Sequence, residues 1–346
     1  MRHVVIRWDE LVKNTEILLC NFGGPEKEAD VQPFLFKLFE DPLVIRAPFG
    51  PFRKFFANYV SKKRAPHSNH EYAKIGYSPI NKTTKTQANQ LESMLRESNP
   101  NTNVHVVNRY TKPFAEEVIP KIDAENSRVF IITLYPHFCH STTATSTREV
   151  DLAFLKKYGD QEIDSTRIYS WWHNQSYLKY TFEQLRAKLE ETLAAQAEGP
   201  VSIMFSAHGI PKKYRLKGDP YVSETTGHFN EIKRRCCDWL KSFQEGKHLN
   251  RCHWELCYQS RVGPVEWTRP YTDTTIEDLG KSRGGHLLLF PVSFTSDHIE
   301  TLYEMDVTYK EQALESGFVS YQRVLAANTD TKFTECLRDI LLQHGF

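Results

Sequence analysis

Leu287-Leu288-Leu289-Phe290-Pro291-Val292-Ser293-Phe294-Thr295-Ser296-Asp297-His298-Ile299-Glu300-Thr301-Leu302-Tyr303-Glu304 is the stretch from which the fold can be read. It opens on an unbroken apolar run, Leu287 to Val292, too short for a helix and bounded upstream by Gly284-Gly285. Such a run reads as a strand buried on both faces, as in a parallel sheet. Thr295, Ser296 and Asp297 are N-cap residues, so a helix should follow, with Ile299, Leu302, Tyr303 and Met305 turned inward. On that helix Asp297, Glu300 and Glu304 fall at i, i+3 and i+7, three carboxylates on one face beside His298. Like charges stacked this way repel. Asp297 with Glu300 also fits a capping box, and acids in a first turn suit the helix dipole. Position favours function: the acids follow the carboxyl end of a buried strand, where open α/β sheets place their ligands.

Outward from this stretch the chain repeats one grammar, an apolar run, then a polar or glycine-rich turn, then helical periodicity. Glu16 to Cys20 leads into Asn21-Phe22-Gly23-Gly24-Pro25, which lacks both G-x-G-x-x-G and G-K-[ST], so a nucleotide loop is a weak reading. Val104 to Val107 ends at Arg109-Tyr110. Val129 to Leu134 ends in Tyr135-Pro136-His137-Phe138-Cys139-His140-Ser141-Thr142-Thr143, a hydroxyl-rich loop that suits an anion or a plain turn. Val201 to Phe205 ends in Ser206-Ala207-His208, which puts His208 at a strand end, like the acids. A histidine and carboxylates converging from two strand ends suit proton transfer or a divalent metal, ferrous iron or zinc. Helices are expected from Lys85 to Glu97 and after Trp171-Trp172-His173. The polar segment 151–170 puts a boundary near 150, dividing the chain into α/β domains at 1–150 and 151–346.

Composition narrows the class. A chain of 346 residues with 40% apolar and 25% charged content can build two domains, each with a core. Its net charge of +1 offers no bulk attraction for nucleic acid. The start, MRHVVIRWDELVKN, lacks the apolar core of a signal peptide, and no run is long enough to span a membrane. Seven cysteines, an odd number, fit a reducing compartment, so a cytoplasmic location is expected. Four of them, Cys236, Cys237, Cys252 and Cys257, crowd one segment beside His253. They suggest a metal centre, an iron–sulfur cluster ahead of zinc, against the alternative of buried thiols. Residues 44–66 combine Phe52, Phe55, Phe56, Tyr59 and Val60 with Arg46, Arg53, Lys54, Lys62, Lys63 and Arg64. That is either a helix burying one face or a basic, Phe-rich lip for a membrane interface or an anionic apolar ligand.

Taken together these segments resemble the ferrochelatases, which insert ferrous iron into a porphyrin. The resemblance rests on Asn21 to Pro25, Ser78-Pro79-Ile80, Leu134-Tyr135-Pro136, Ser141-Thr142-Thr143, Phe205-Ser206-Ala207-His208 and Gly218-Asp219-Pro220-Tyr221. It continues through Gln259 to Pro264, Trp267 and the long run Phe294 to Glu304, collinear from about residue 16 to the C-terminus. The resemblance implies two Rossmann-like domains flanking a porphyrin cleft. It makes His208 and Glu300 the pair that meets the substrate Fe²⁺ and accepts protons. Glu304, Asp297 and His298 join them on a helix widened toward π geometry, which would bring Glu300 and Glu304 closer. Phe22, Tyr72, Ser78, Tyr135 and Trp267 fall at cleft positions, and Arg64 and Arg109 near the propionates or the metal entry. The segment 49–60 matches a hydrophobic lip for peripheral contact with the inner face of a membrane.

The implied activity is insertion of Fe²⁺ into protoporphyrin IX, giving protohaem and two protons, by a monomer or homodimer. Coproporphyrin as substrate, another metal such as cobalt, and a non-catalytic porphyrin or haem carrier are the alternatives. Two features depart from the pattern. Thr308 stands where many relatives continue the acid ladder, and the chain stops at Phe346 without the C-terminal cysteines of cluster-bearing relatives. One ligand position of those relatives falls at His140, so a 2Fe-2S cluster would have to be held by Cys236, Cys237, Cys252 and Cys257.

Overall fold

The computed structural model describes residues 14–46, 50–195 and 198–346. The first thirteen residues and Phe49 of the expected lip lie outside them. The chain begins with β1 (Asn14–Asn21), α1 (Glu28–Glu40), α2 (Arg53–Lys74), α3 (Ile80–Arg96) and β2 (Thr102–Asn108). It continues with α4 (Ala115–Val118), β3 (Ser127–Thr133), α5 (Thr145–Tyr158) and β4 (Ser165–Ile168). These strands form one parallel sheet in the order β2-β1-β3-β4. The second half runs α6 (Gln175–Ala195), β5 (Val201–His208), α7 (Lys212–Leu216), α8 (Tyr221–Ser242), β6 (Cys252–Gln259) and α9 (Thr272–Ser282). Then come β7 (Gly285–Phe290), a π-helix over Glu300–Tyr309, α10 (Lys310–Glu315), β8 (Phe318–Arg323) and α11 (Thr331–Gln343). The second sheet, β6-β5-β7-β8, is again all parallel and repeats the order of the first. The architecture is two Rossmann-like domains.

The apolar runs form strands because each is covered on both sides. Ile17 and Leu19 pack with Leu91 and Leu95 of α3, while Leu18 and Cys20 pack with Val150 and Phe154 of α5. In β7, Leu288 and Phe290 meet Leu185, Leu189 and Ile232 from α6 and α8. Leu287 and Leu289 meet Ile276 and Met305 on the opposite face. In both sheets the strand order reverses between the first strand and the third, and a crevice opens at that point beyond the strand ends. His208 ends β5, and the π-helix follows β7.

Two expectations need correction, the boundary near 150 and the Asp297 cap. The first domain does not stop at 150: α5 crosses that point, and β4 pairs with Val129 to Ile132 to complete the first sheet. The polar run 151–170 concealed both elements, because β4 is a short edge strand only half covered. Phe333, Leu337, Ile340 and Leu341 of α11 pack back on the first domain's core. Of the two readings of the hydroxyl-rich loop the structure takes the turn: a π-turn covers His140–Ala144, with Thr143 donating to the His137 carbonyl and Thr147 of α5 to the Thr143 carbonyl. Asp297 caps nothing; the helix after β7 is π over Glu300–Tyr309, burying Thr301, Met305 and Tyr309.

Candidate active site

Four elements aim side chains at one point beyond the second sheet. His208 closes β5, and its backbone N–H donates to Ser293 Oγ after β7 at 3.1 Å. Its ring Nδ1 hydrogen-bonds Glu300 Oε2 at 2.7 Å, which leaves Nε2 free on a side chain still 38% exposed. Gln259 ends β6 in register with His208, and Ser260 follows it with a left-handed backbone, φ +61°. The Ser260 hydroxyl lies 2.8 Å from Glu300 Oε2 and 2.7 Å from Glu304 Oε2. His298 Nε2 faces Glu300 Oε1 at 3.7 Å, while its Nδ1 bonds the Ser296 carbonyl at 3.1 Å. Trp267 stands edge-on to His208 with ring centres 6.3 Å apart.

The charges fall unequally on this group. Burial raises a carboxyl pKa, but the charge and hydrogen bond of His208 outweigh it at Glu300, which is held well below the usual carboxylate range. Burial and the neighbouring Glu300 charge push Glu304 the other way, up to about 7. At His208 burial opposes the imidazolium, and the Glu300 contact more than offsets that, so its pKa is raised. At neutral pH the site holds an ionised Glu300 against His208 and, one π-turn on, a Glu304 poised near half protonation. Such a set can take up and pass on protons.

The first domain supplies a wall. Phe22 packs on Tyr110 (ring centres 4.5 Å) and on Phe34, beside a buried Tyr72. Ile299, next to the acids, packs on the same cluster. Burial and then the Glu300, Glu71 and Glu304 charges push the Tyr72 hydroxyl well above its usual range. Lys74 Nζ donates to Tyr303 at 3.2 Å, tying the end of α2 to the π-helix. The Gly23-Gly24 turn is needed for close approach. Gly23 has φ +77°, and a Cβ at Gly24 would strike the Ser78 hydroxyl. Ser78 is therefore buried as a joint between that turn and α3. Tyr135 is half-buried with its hydroxyl 3.3 Å from Ser146 Oγ.

Other expected residues stand elsewhere. Asp297 is not on the acid path: buried Arg323 Nη1 meets its Oδ1 at 2.8 Å and half-buried Asn328 Nδ2 its Oδ2 at 2.7 Å. Arg109 is committed to Asp41 (2.5 Å) and to Thr145 Oγ1 (2.8 Å), while Arg64 on α2 has no ion pair among the described residues. His140 bonds Asp219 Oδ2 at 3.0 Å. Phe52, Phe55 and Tyr59 are 72%, 75% and 61% exposed, so the 44–66 segment does not bury its aromatic face as a core helix would.

The four cysteines do not converge, which corrects the cluster expectation. Cys252 and Cys257 are an odd number of residues apart on β6 and so point to opposite faces of the sheet. Cys236 and Cys252 lie on the α6/α8 side; Cys257 lies on the other, its thiol directed at the Phe205 carbonyl. Among the described residues no group of three metal-ligating side chains is set to hold an ion. These cysteines do not fit a 2Fe-2S cluster.

Gln259 and Ser260 stand within the segment Gln259 to Pro264 and Ser293 within the opening stretch, but the sequence assigns none of them a role. Their signal is membership of those segments, because the residues before Gln259 include His253 and Glu255 and do not read as an unbroken apolar run.

A family model described as Ferrochelatase matches residues 14–345. A Prochlorococcus marinus (strain MIT 9515) protein named Ferrochelatase is 38% identical over 335 residues, 94% of this chain and 81% of its own length. Ferrochelatase-2, chloroplastic, of Arabidopsis thaliana is 39% identical over 332 residues, 94% of this chain and 62% of its own. With matches of that extent resting on this fold, the chain belongs to the ferrochelatase family.

Proposed function

We propose that the chain is a ferrochelatase that inserts Fe²⁺ into protoporphyrin IX and releases two protons as the nitrogen–metal bonds form. The observation that carries this reading is the His208–Glu300 hydrogen bond of 2.7 Å beside a second carboxyl, Glu304, at the strand reversal. Both porphyrin N–H protons must leave as iron enters. His208 accepts one at Nε2 while its Nδ1–H stays on Glu300, the carboxylate that stabilises the imidazolium formed. Glu300 and Glu304 supply hard oxygen donors for the substrate cation and a second proton acceptor. A porphyrin carrier would need the aromatic wall of Phe22, Tyr72 and Trp267 but not these paired carboxylates, so the enzyme is favoured.

The reading includes no resident iron–sulfur cluster, because the cysteines do not meet. It does include a peripheral membrane contact at the cytoplasmic face, supported by exposed Phe52, Phe55 and Tyr59 among basic side chains. Among the described residues no helix is long and apolar enough to cross a membrane.

The test is anaerobic incubation with Fe²⁺ and protoporphyrin, following porphyrin absorbance for the native protein and His208→Ala. Conversion in the native protein that is lost in the variant is expected. Stoichiometric porphyrin binding without turnover, with protoporphyrin and then with coproporphyrin, would identify a carrier instead. Faster turnover of coproporphyrin would replace the substrate but keep the reaction.

A further inference from the structure

Ser260 occupies a backbone conformation that side chains avoid, φ +61°, although glycine would sit there without strain. Gly263, three residues on, does take that role at φ +72°. An outlier of this kind persists where its surroundings hold it and its side chain has a task. The task is visible in the contacts. Ser260 Oγ is 2.8 Å from Glu300 Oε2, the same oxygen that His208 Nδ1 meets at 2.7 Å, and 2.7 Å from Glu304 Oε2. A serine has one hydroxyl hydrogen, so it donates to one carboxylate at a time while staying within reach of both.

Neighbouring groups hold this arrangement in place. Gln259 Nε2 approaches Glu304 Oε2 at 3.4 Å and the Glu300 carbonyl at 3.5 Å. Its Oε1 accepts a 2.6 Å bond from Ser206, which in turn lies 2.8 Å from Thr272 Oγ1. The strand end is thus braced from behind, and among the described residues the hydroxyl placed between the two carboxylates is that of Ser260.

We infer that Ser260 is a positioning residue that ties Glu300 and Glu304 into one unit, so that the second carboxyl acts on the reaction through the first. This deepens the ferrochelatase reading and rests on it. The interaction exists only while both carboxylates and the hydroxyl are present, and that makes it measurable as a coupling.

The experiment is a double-mutant cycle in the Fe²⁺–protoporphyrin assay using Ser260→Gly, Glu304→Ala and the double variant. Glycine keeps the backbone conformation and removes the hydroxymethyl side chain, so thermal stability should not fall. Ser260→Gly should lower kcat about tenfold, the scale of one hydrogen bond to a charged group, with KM for porphyrin unchanged. In the Glu304→Ala background the same substitution should change kcat less than about twofold. Native kcat in Ser260→Gly, or an equal loss in both backgrounds, would overturn the inference. A native protein that does not turn over would instead overturn the functional reading, which separates the two failures.

Discussion

The two halves of this molecule share a sheet order and share the place where strand order reverses, yet they fill that place with opposite chemistry. In the first half, Asp41 lies buried against the Arg109 guanidinium, with Tyr110 and Thr145 donating to the same carboxylate. Charge is matched, the donors are engaged, and an aromatic cluster of Phe22 with buried Phe34 and Tyr72 packs beside it. In the second half Glu300 meets His208 and His298 and shares Ser260 with Glu304, and among the described residues no Lys or Arg side chain is hydrogen-bonded to either carboxylate. A neutralised ion pair makes a rigid wall, whereas an under-neutralised carboxylate pair makes a site that exchanges protons and attracts cations. Division of labour between two copies of one topology follows from which buried charges are given partners.

The sharpest way to break this comparison is at His208, whose ring hydrogen-bonds Glu300 at 2.7 Å. His208→Ala should cost roughly 10²- to 10⁴-fold in turnover, the range for losing a positioned acid–base group, with little loss of stability. Measured kcat near the native value would place the chemistry elsewhere.

Next comes the first half, where the effect should fall on stability. Asp41→Ala strands a buried guanidinium and should destabilise the fold by about 3–5 kcal/mol, read from the denaturant midpoint. A shift under about 1 kcal/mol would mean that the wall does not depend on its ion pair.

Asp41 and Glu304 should also answer pH in opposite directions. The Asp41 pKa is lowered: burial alone would raise it, but Arg109 and its hydrogen bonds outweigh burial. Its stabilisation is therefore present at neutral pH and lost as pH falls through the depressed value. Glu304 is raised from 4.5 to about 7, so its contribution is present below 4.5 and lost as pH rises through about 7. Glu304→Gln should remove the second trend and leave the first. Unfolding midpoints across pH, compared for the native protein and this variant, decide it; parallel curves would contradict the assignment. The smallest effect expected is at the rim, where Phe52→Ser with Phe55→Ser should weaken binding to anionic lipid vesicles a few-fold in a sedimentation assay. Unchanged binding would remove the lip from any membrane role.

Much of the frame was legible because burial on both faces leaves a mark in the chain itself. Runs such as Ile17 to Cys20 and Leu287 to Phe290 are apolar at every position, which only a strand between two helical layers requires. His208 and Glu300 were legible by position, each following such a run. Asp297 was misread, because helical spacing places it with Glu300 but says nothing of Arg323, which claims it. The cysteines were misread for a related reason: closeness along the chain hid the alternation of β6, which sends Cys252 and Cys257 to opposite faces.

The sequence by itself determined where strands start, which ends carry polar chemistry, and that two similar α/β units follow one another. These are properties of local periodicity, and local periodicity is written in adjacent residues. Only the tertiary structure decided which charges are spent and which are left free. His208 meets Glu300 across 92 positions and Arg109 meets Asp41 across 68, so whether a carboxylate is quenched or poised depends on parallel pairing that brings distant strand ends into register. Ser260 depends on the same pairing, since its value lies in standing between two side chains carried by another element.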